Sequence, residues 1–342
     1  MRALVTGANG FIGRFLVEAL LRRGCAVRCF TLEGERADWP DDESVEVVTG
    51  DICREETLTA AVQGVDYVFH LAGVKTVWDE ATYFRINVHG TKNLLHALLE
   101  SGHRIRRFVF ASSQAAAGPS PDGRPITEDE VCRPLTAYGR SKRAAEEYLL
   151  AHRHRVPITI LRPVLVYGPR NLETELLLAL IRRGWMFDIG RHHQSFNLIH
   201  VRDVVRAFIL AAEHPRAAGE IYFITSRDRY TWRQIAEQSF RLQHKRGRIF
   251  SIPWTGVKLA AEAVKSYRKL RGQPFDVIDD KMNELRQAHW VCSGEKARRH
   301  LGFEPQISLA QGIEETMRWY ERRRQDERPM IAGAGGRWRK FL

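Results

Sequence analysis

"RALVTGANGFIGRFLVEALLRRG", residues 2–24, holds two periodicities back to back. Residues 2–6 form a short apolar run, and residues 11–24 place apolar side chains at helical spacing. Between them Gly7, Gly10 and Gly13 follow a GxxGxxG pattern. At a strand-to-helix junction each glycine meets a separate physical need, respectively a tight turn, close backbone approach to a pyrophosphate, and close packing of helix on sheet. The start of the helix then offers N–H groups and the positive end of its dipole to phosphates. A glycine triplet alone is weak evidence. Between a clear strand and a clear amphipathic helix it points to a dinucleotide-binding α/β fold.

The chain on either side agrees. "AVRCF" (26–30), "VEVVT" (45–49), "DYVFHL" (66–71), "RFVFAS" (107–112) and "ITILR" (158–162) are short, nearly continuous apolar runs, the signature of parallel strands buried on both faces. Helical patterns such as 87–101 lie between them, which predicts βαβ units and a doubly wound parallel sheet. After residue 163 the rhythm becomes irregular. One more strand, "IYFIT" (221–225), and helices over 203–213, 231–243, 255–271 and 308–324 are expected there. The predicted organisation is a cofactor-binding Rossmann domain over 1–165 and a smaller, mostly helical substrate-binding part over 166–325, with interleaved segments. A basic tail, predicted to be flexible, follows over 326–342.

Composition narrows the function. Hydrophobic residues make up 44% and charged ones 27% of 342 residues, ordinary for a folded soluble protein. No stretch approaches the roughly 20 apolar residues that span a bilayer, and "MRALVTGANG" lacks the apolar core of a secretory signal. A cytoplasmic location is expected. The five cysteines are odd in number and scattered, which argues against disulfides and zinc. No metal is expected: the His-rich pieces at 152–155 and 191–194 lack partner ligands. The net charge of +12 sits in short clusters with no nucleic-acid-binding signature, so nucleic acid is not an expected partner. Trp338, Phe341 and neighbouring charges allow a weak peripheral membrane contact through the tail.

"PLTAYGRSK" (134–142) sets Tyr138 four residues before Lys142, one above the other on a helix face. The pair is common by chance. Together, however, the glycine loop, "TGDI" after the third strand, "HLAG", "NVHGT", "ASS", YxxxK, "LRPVLVYGP" and "LIHVRDV" occur in the order that resembles the extended short-chain dehydrogenases/reductases, home of the NAD-dependent epimerases and dehydratases. The resemblance covers residues 1 to about 325. The run "ASSQAAAGPSPDG" through "AYGRSK" is similar to the branch of dihydroflavonol reductases and 3β-hydroxysteroid dehydrogenases.

This resemblance implies that Ser113, Tyr138 and Lys142 are catalytic. A hydride moving between a carbinol carbon and nicotinamide requires a proton to leave or join the oxygen. Free tyrosine, with a pKa of about 10, is too weak a base at neutral pH. A cationic Lys142 beside it favours the phenolate, and Ser113 would hold the substrate oxygen. For the cofactor the resemblance implies Gly7, Asn9, Gly10, Phe11, Ile12 and Gly13 in the first loop, with Thr31 after the second strand. It adds Asp51 and Ile52, then Leu71, Ala72 and Gly73, and finally Asn87, Tyr138, Lys142 and Pro163. Asp51 reads equally as an acceptor for the adenine amino group or as a helix N-cap ahead of "REETL". Asn87 orders the active site or caps a helix locally. Ser112 reads as a structural neighbour. Homodimers, formed through the tyrosine-bearing helix, are a further implication of the resemblance.

Two departures bear on substrate. Sugar-nucleotide epimerases carry Asn where this chain has Leu165, and Arg where it has Phe196. Losing both weakens the case for a diphosphate substrate; Arg170, Arg191 or His192 would have to compensate. Small residues follow Ser113 in "QAAAG". They leave more room beside the catalytic oxygen, and together these changes favour a bulky, less charged alcohol or ketone, with Lys75, Gln114, Leu165, Arg170 and Phe196 as candidate substrate-binding positions. For the cofactor, Thr31 and Leu32 satisfy neither the acidic rule for NAD nor the arginine rule for NADP. Glu33 and Glu35 oppose an added phosphate and Arg14 and Arg36 attract one, so NAD is favoured narrowly over NADP. The leading expectation is an NAD(P)-dependent oxidoreductase on a bulky non-nucleotide small molecule. Alternatives are a nucleotide-sugar epimerase or dehydratase using the same residues, and a non-catalytic cofactor-binding regulatory or scaffold protein.

Overall fold

The computed structural model describes residues 1–35, 39, 42–189, 194–274 and 277–327. Strands β1 (Arg2–Thr6), β2 (Ala26–Thr31), β3 (Val45–Thr49), β4 (Tyr67–His70), β5 (Arg107–Ala111) and β6 (Ile158–Pro163) alternate with α1 (Phe11–Arg22), α2 (Thr59–Val62), α3 (Glu80–Tyr83), α4 (Gly90–Glu100) and α5 (Ala137–Ala151). There follow β7 (Leu165–Tyr167), α6 (Leu172–Arg182), β8 (Trp185–Ile189), β9 (Ser195–His200), α7 (Val201–Glu213), β10 (Ile221–Ile224), β11 (Arg229–Tyr230) and α8 (Trp232–Leu242). The chain continues through β12 (Arg248–Ile252), α9 (Trp254–Leu270), α10 (Val277–Arg286), β13 (His289–Trp290), α11 (Glu295–Leu301) and α12 (Leu309–Glu327).

Seven strands form one sheet in the order β10-β6-β5-β4-β1-β2-β3, and every neighbouring pair is parallel. Apolar cores lie on both faces. Leu16, Val17 and Phe208 fill one, from α1 and α7; Leu94, Leu95 and Leu149 fill the other, from α4 and α5. This double burial is why the strands β1, β4, β5 and β6 are mostly apolar, and why the polar residues they do carry, such as Thr6, His70 and Arg162, are buried. Strand β3 departs from that expectation. It closes the edge of the sheet, and Val47 is 51% exposed.

The later half holds more strand than its sequence suggests. Strands β7, β11 and β13 pair around β9 in a four-stranded sheet, and β8 pairs with β12. From β9 the chain enters α7, which packs back on the main sheet, before β10 adds the seventh strand. A third core, containing Tyr167, Leu178, Phe196, Ile235 and Ile313, lies among β7, β9, α6, α8 and α12. Among the described residues no helix is long and apolar enough to cross a membrane. Arg36, Arg191, His192 and the tail beyond Glu327 lie outside the described residues.

Candidate active site

Most of the residues predicted for cofactor and catalysis lie on segments that leave the carboxyl ends of β1 to β6. There the β1–α1 turn is closed by Gly10 N donating to the Gly7 carbonyl at 2.9 Å. Gly7 has φ 68°, and a Cβ on it would lie 2.7 Å from Ala72 N, so only glycine suits both the left-handed turn and the contact with the end of β4. Helix α1 starts at Gly10 with no side-chain cap and no acidic residue in its first turn, which leaves its positive end for an anion. Phe11 and Ile12 open this helix and pack on the core. Asn9 donates to Glu35 Oε2 at 3.0 Å, while Asn9 Oδ1 is buried with no protein partner among the described residues. A narrow glycine cradle and an orphaned polar atom fit a dinucleotide pyrophosphate and its ribose.

Around this turn, Thr31 is buried at the end of β2. Asp51 lies two residues past β3 and accepts from Cys53 N at 2.8 Å. It does not cap the short 3₁₀ helix ahead, whose N-cap is Arg54. The Ile52 side chain is buried against Gly90, so only its backbone faces the edge. Pro163 ends β6, paired in register with Ile224.

Behind β4 runs a chain of hydrogen bonds the sequence did not announce. Ala72 N donates to Thr6 Oγ1 at 3.2 Å. Thr6 Oγ1 lies 2.8 Å from His70 Nδ1, and His70 Nε2 lies 2.9 Å from Thr91 Oγ1. Thr91 in turn donates to the Asn87 carbonyl at 2.7 Å. Because Thr91 spends its only proton there, Nε2 donates to it. Burial, then Lys142, pushes the ring's pKa down to about 3, so near neutral pH the ring carries one proton, on Nε2, and Nδ1 accepts from Thr6. An unfolded histidine titrates near 6.5, so between the two values the unfolded chain binds a proton the folded one refuses. Stability should thus fall as pH drops below 6.5, by about 1.4 kcal/mol per unit from this group. Urea unfolding at pH 7 and pH 5 checks it: His70→Asn should be less stable at pH 7 but show a slope shallower by about 2 kcal/mol over the interval.

Leu71, Ala72 and Gly73 continue from β4 to Asn87, which is 1% exposed. Asn87 is no helix cap. It sits in a π-helical turn, Phe84–His89, that joins α3 to α4. Its amide donates to Val74 O at 3.0 Å and to Ser141 Oγ at 2.9 Å and accepts from Val74 N at 2.8 Å. Asn87 therefore fastens the 73–75 loop to α5, with Gly73 beside Lys142 Nζ.

Helix α5 is positioned from several sides. The Thr136 side chain caps it, accepting from Gly139 N at 3.0 Å. Asp280 of α10 accepts from Ala137 N, and Arg140 bridges Glu80 and Asp280 at 3.0 and 3.3 Å. A side chain at Gly139 would collide with the Ala115 carbonyl, so α5's first turn rests directly on the turn that follows Ser113. That contact joins residues 24 apart in sequence, Ala115 and Gly139. Ser113 Oγ accepts from Ala115 N at 3.1 Å. Lys142 is 4% exposed; its Nζ donates to the Ala111 carbonyl at 2.8 Å and lies 4.7 Å from the centroid of the Phe110 ring. Burial pushes its pKa down to about 8, against the pull of Glu146. One turn on, fully buried Glu146 accepts from Ser112 Oγ at 2.6 Å and from Arg162 at 2.8 and 2.6 Å. Ser112 is thus a structural neighbour, as expected.

Of the positions expected to meet substrate, Gln114 is buried with Nε2 lacking a protein partner among the described residues. Lys75 is exposed, and its carbonyl accepts from the Tyr83 hydroxyl at 2.9 Å. Tyr83's ring lies 6.0 Å from that of Tyr138. Tyr83 also lines an open groove of about 360 Å³ with Val77, Trp78, Val264, Val277 and Met282. Leu165 borders a separate apolar cavity of about 160 Å³. Phe196 is core, 5% exposed and 4.6 Å from the Trp232 ring. Arg170 turns instead to α1, donating to Glu18 Oε1 at 3.0 Å. These three positions therefore present no anion clamp: two are apolar and the third is committed to a carboxylate.

The sequence model of the NAD dependent epimerase/dehydratase family matches residues 3–225, well over half the chain. The 4-hydroxy-2-methyl-3-oxo-4-farnesyl-3,4-dihydroquinoline-1-oxide ketoreductase of Stigmatella aurantiaca is 30% identical, over 92% of this chain and 95% of its own. The ceramide reductase of Caulobacter vibrioides is 28% identical over 92% and 93%. Among solved structures, MoeE5 in complex with UDP-glucuronic acid and NAD superposes with a TM-score of 0.75 at 26% identity, covering 94% of this chain and 100% of that one. A match of this extent, on a sheet whose first turn is built for a dinucleotide, makes the chain a member of the NAD-dependent epimerase/dehydratase family and so an NAD(P)-dependent oxidoreductase or epimerase/dehydratase.

Proposed function

We propose that the protein interconverts a secondary alcohol and a ketone on a bulky, apolar, non-nucleotide molecule, with cofactor bound on residues 1–165 and substrate against 166–325. The observation that carries this is the groove one ring away from Tyr138, walled chiefly by aliphatic and aromatic side chains. Leu165 and Phe196 in apolar surroundings support it, and so do two relatives named as reductases of prenylated and lipid molecules.

The bound nicotinamide supplies the chemistry of giving or taking a hydride at the substrate carbon. The side chains handle the oxygen. Ser113 Oγ already accepts from Ala115 N, so its own hydrogen remains to be donated to the substrate oxygen. The Tyr138 hydroxyl passes the proton to or from that oxygen, in general acid–base fashion. Lys142, held by the Ala111 carbonyl and the Phe110 ring, sets a positive charge beside the site below about pH 8. The Gly73 backbone and Asn87 keep the loop over it closed.

Turnover with NADH on a graded set of ketones tests the reading. Bulky apolar ketones should be reduced and UDP-sugars neither epimerised nor dehydrated. Turnover of UDP-sugars, with NAD retained near one per chain through purification, would replace the proposal with the epimerase reading, which the likeness to MoeE5 favours.

Glu35 supplies the carboxylate that the end of β2 lacks, because its hydrogen bond to Asn9 holds it beside the glycine turn. It would accept from the adenosine ribose and repel a 2′-phosphate. Glu35→Gln should weaken NAD about tenfold, the worth of one hydrogen bond to a charged acceptor, and narrow the preference over NADP. Matched titrations check it, and a clear wild-type preference for NADP would overturn it. The five cysteines are all unpaired, which supports a reducing, cytoplasmic setting. A homodimer through α5 completes the proposal.

A further inference from the structure

Helix α9 contains no buried residue. Val257, Ala261, Lys265 and Arg268 are half-buried on one side, where Lys265 pairs with Asp279 of α10 and the Arg268 guanidinium stacks 3.8 Å from the Trp78 ring centroid. At about 100° per residue, Leu259, Ala260, Ala263, Tyr267 and Leu270 gather away from that side into one apolar arc, and Val264 forms its edge next to Val257. Its large members face solvent: Leu259 is 72% exposed, Tyr267 55% and Leu270 87%. An uncovered apolar arc of this width on a helix anchored by its other face marks a binding surface.

Charge says what covers it. Residues 244–274 carry eight Lys and Arg against a single acid, Glu262, and Lys258 and Lys269 lie exposed on the polar side of α9. Glu262 is itself paired with Lys265 at 3.0 Å. A second copy of the chain, meeting this face across a two-fold axis, would bring two segments of net +7 together. An apolar arc flanked by lysines suits an anionic lipid surface instead. The arc is also continuous with the groove beside Tyr83, since Ala260 and Val264 belong to both.

We propose that α9 lies in the surface of an anionic bilayer, with its apolar arc at the acyl boundary and its lysines at the headgroups, so that the groove opens to the lipid and takes its substrate from there. Docking stands on the arc and its charge; the cargo alone rests on the function proposed above.

The test is co-sedimentation of the full chain with phosphatidylcholine vesicles, with and without phosphatidylglycerol. Binding should be at least about tenfold stronger with phosphatidylglycerol and fall steeply in high salt. Leu259→Glu with Leu270→Glu should lower it about tenfold or more, with unchanged NAD affinity and unchanged mass on size exclusion. Lys258→Glu with Lys269→Glu, which leaves the apolar arc intact, should lower binding to the anionic vesicles specifically. Trp338→Ser with Phe341→Ser in the tail should leave binding as it is. Equal binding by wild type and both α9 variants would overturn the proposal. So would loss of binding through the tail substitutions alone, or a change of oligomer mass in the leucine variant, which would make the arc a contact between copies. Sedimentation reads no turnover, so failure of the ketone assay leaves this result standing.

Discussion

Tyr138→Phe should lower kcat by about 10³-fold while NAD affinity changes by no more than about twofold, within the cost of a single exposed contact. The substitution removes one hydroxyl and keeps the ring that packs beside Tyr83. The cofactor turn is shaped by other groups. Gly7 against Ala72, the Thr6–His70–Thr91 chain and the Asn87 clamp all stand apart from it. The loss expected is in proton transfer to the substrate oxygen. Steady-state rates on the best ketone, beside a fluorescence titration with NADH, separate the two effects. Ser113→Ala should cost less, about 10²-fold, because water can replace one donor to the substrate oxygen. Turnover retained in Tyr138→Phe would place the proton elsewhere and end the assignment.

Glu146→Ala should destabilise the fold by about 3–5 kcal/mol, the cost of leaving one member of a buried ion pair unmatched. Arg162 is 1% exposed and cannot reach water, and Ser112, which also bonds Glu146, directly precedes Ser113. The variant acts on chemistry too. Glu146 is the group that holds the Lys142 pKa up against burial, so its loss should move the alkaline fall of activity to lower pH. Urea midpoints and a pH profile read the two effects separately. Glu146→Leu with Arg162→Leu should recover most of the stability, since well-packed apolar pairs replace buried ion pairs at little cost. It should not recover the pH profile. A loss below about 1 kcal/mol in Glu146→Ala would show that the pair does not brace α5.

Which features were legible in the sequence follows from how local their physics is. The strands β1, β2, β4, β5, β6 and β10 could be read because a strand covered on both faces must be apolar at successive positions. The glycine turn was legible because its demands, a positive φ at Gly7 and close contacts, fall on residues a few positions apart. The small strands β7, β11 and β13, of two or three residues, are too short to carry any period. The edge position of β3 was hidden as well, since a sequence does not state which strand lies last.

The site divides along the same line. Tyr138 and Lys142 stand four apart on one helix, so their pairing is written locally. The contact between α5's first turn and the turn after Ser113 is not. Gly139 permits it, but glycine in a helix's first turn says nothing about which backbone it meets. His70 and Glu146 escaped for a related reason: their importance lies in partners 64 and 16 residues away. Phe196 and Arg170 show the converse. A match of sequence positions put both on the substrate side, and packing assigned one to the core and the other to Glu18.

Residue spacing was enough to specify the doubly wound sheet, the dinucleotide turn and the types of residue available for proton transfer, because each depends on positions within one strand, turn or helix. Packing between distant segments settled the rest: that Glu35 folds back to Asn9, that His70 must be neutral, and that segments near residues 77, 264 and 277 enclose an apolar groove beside Tyr83. Those outcomes depend on which distant surfaces exclude water from one another, and no periodicity in a single segment carries that information.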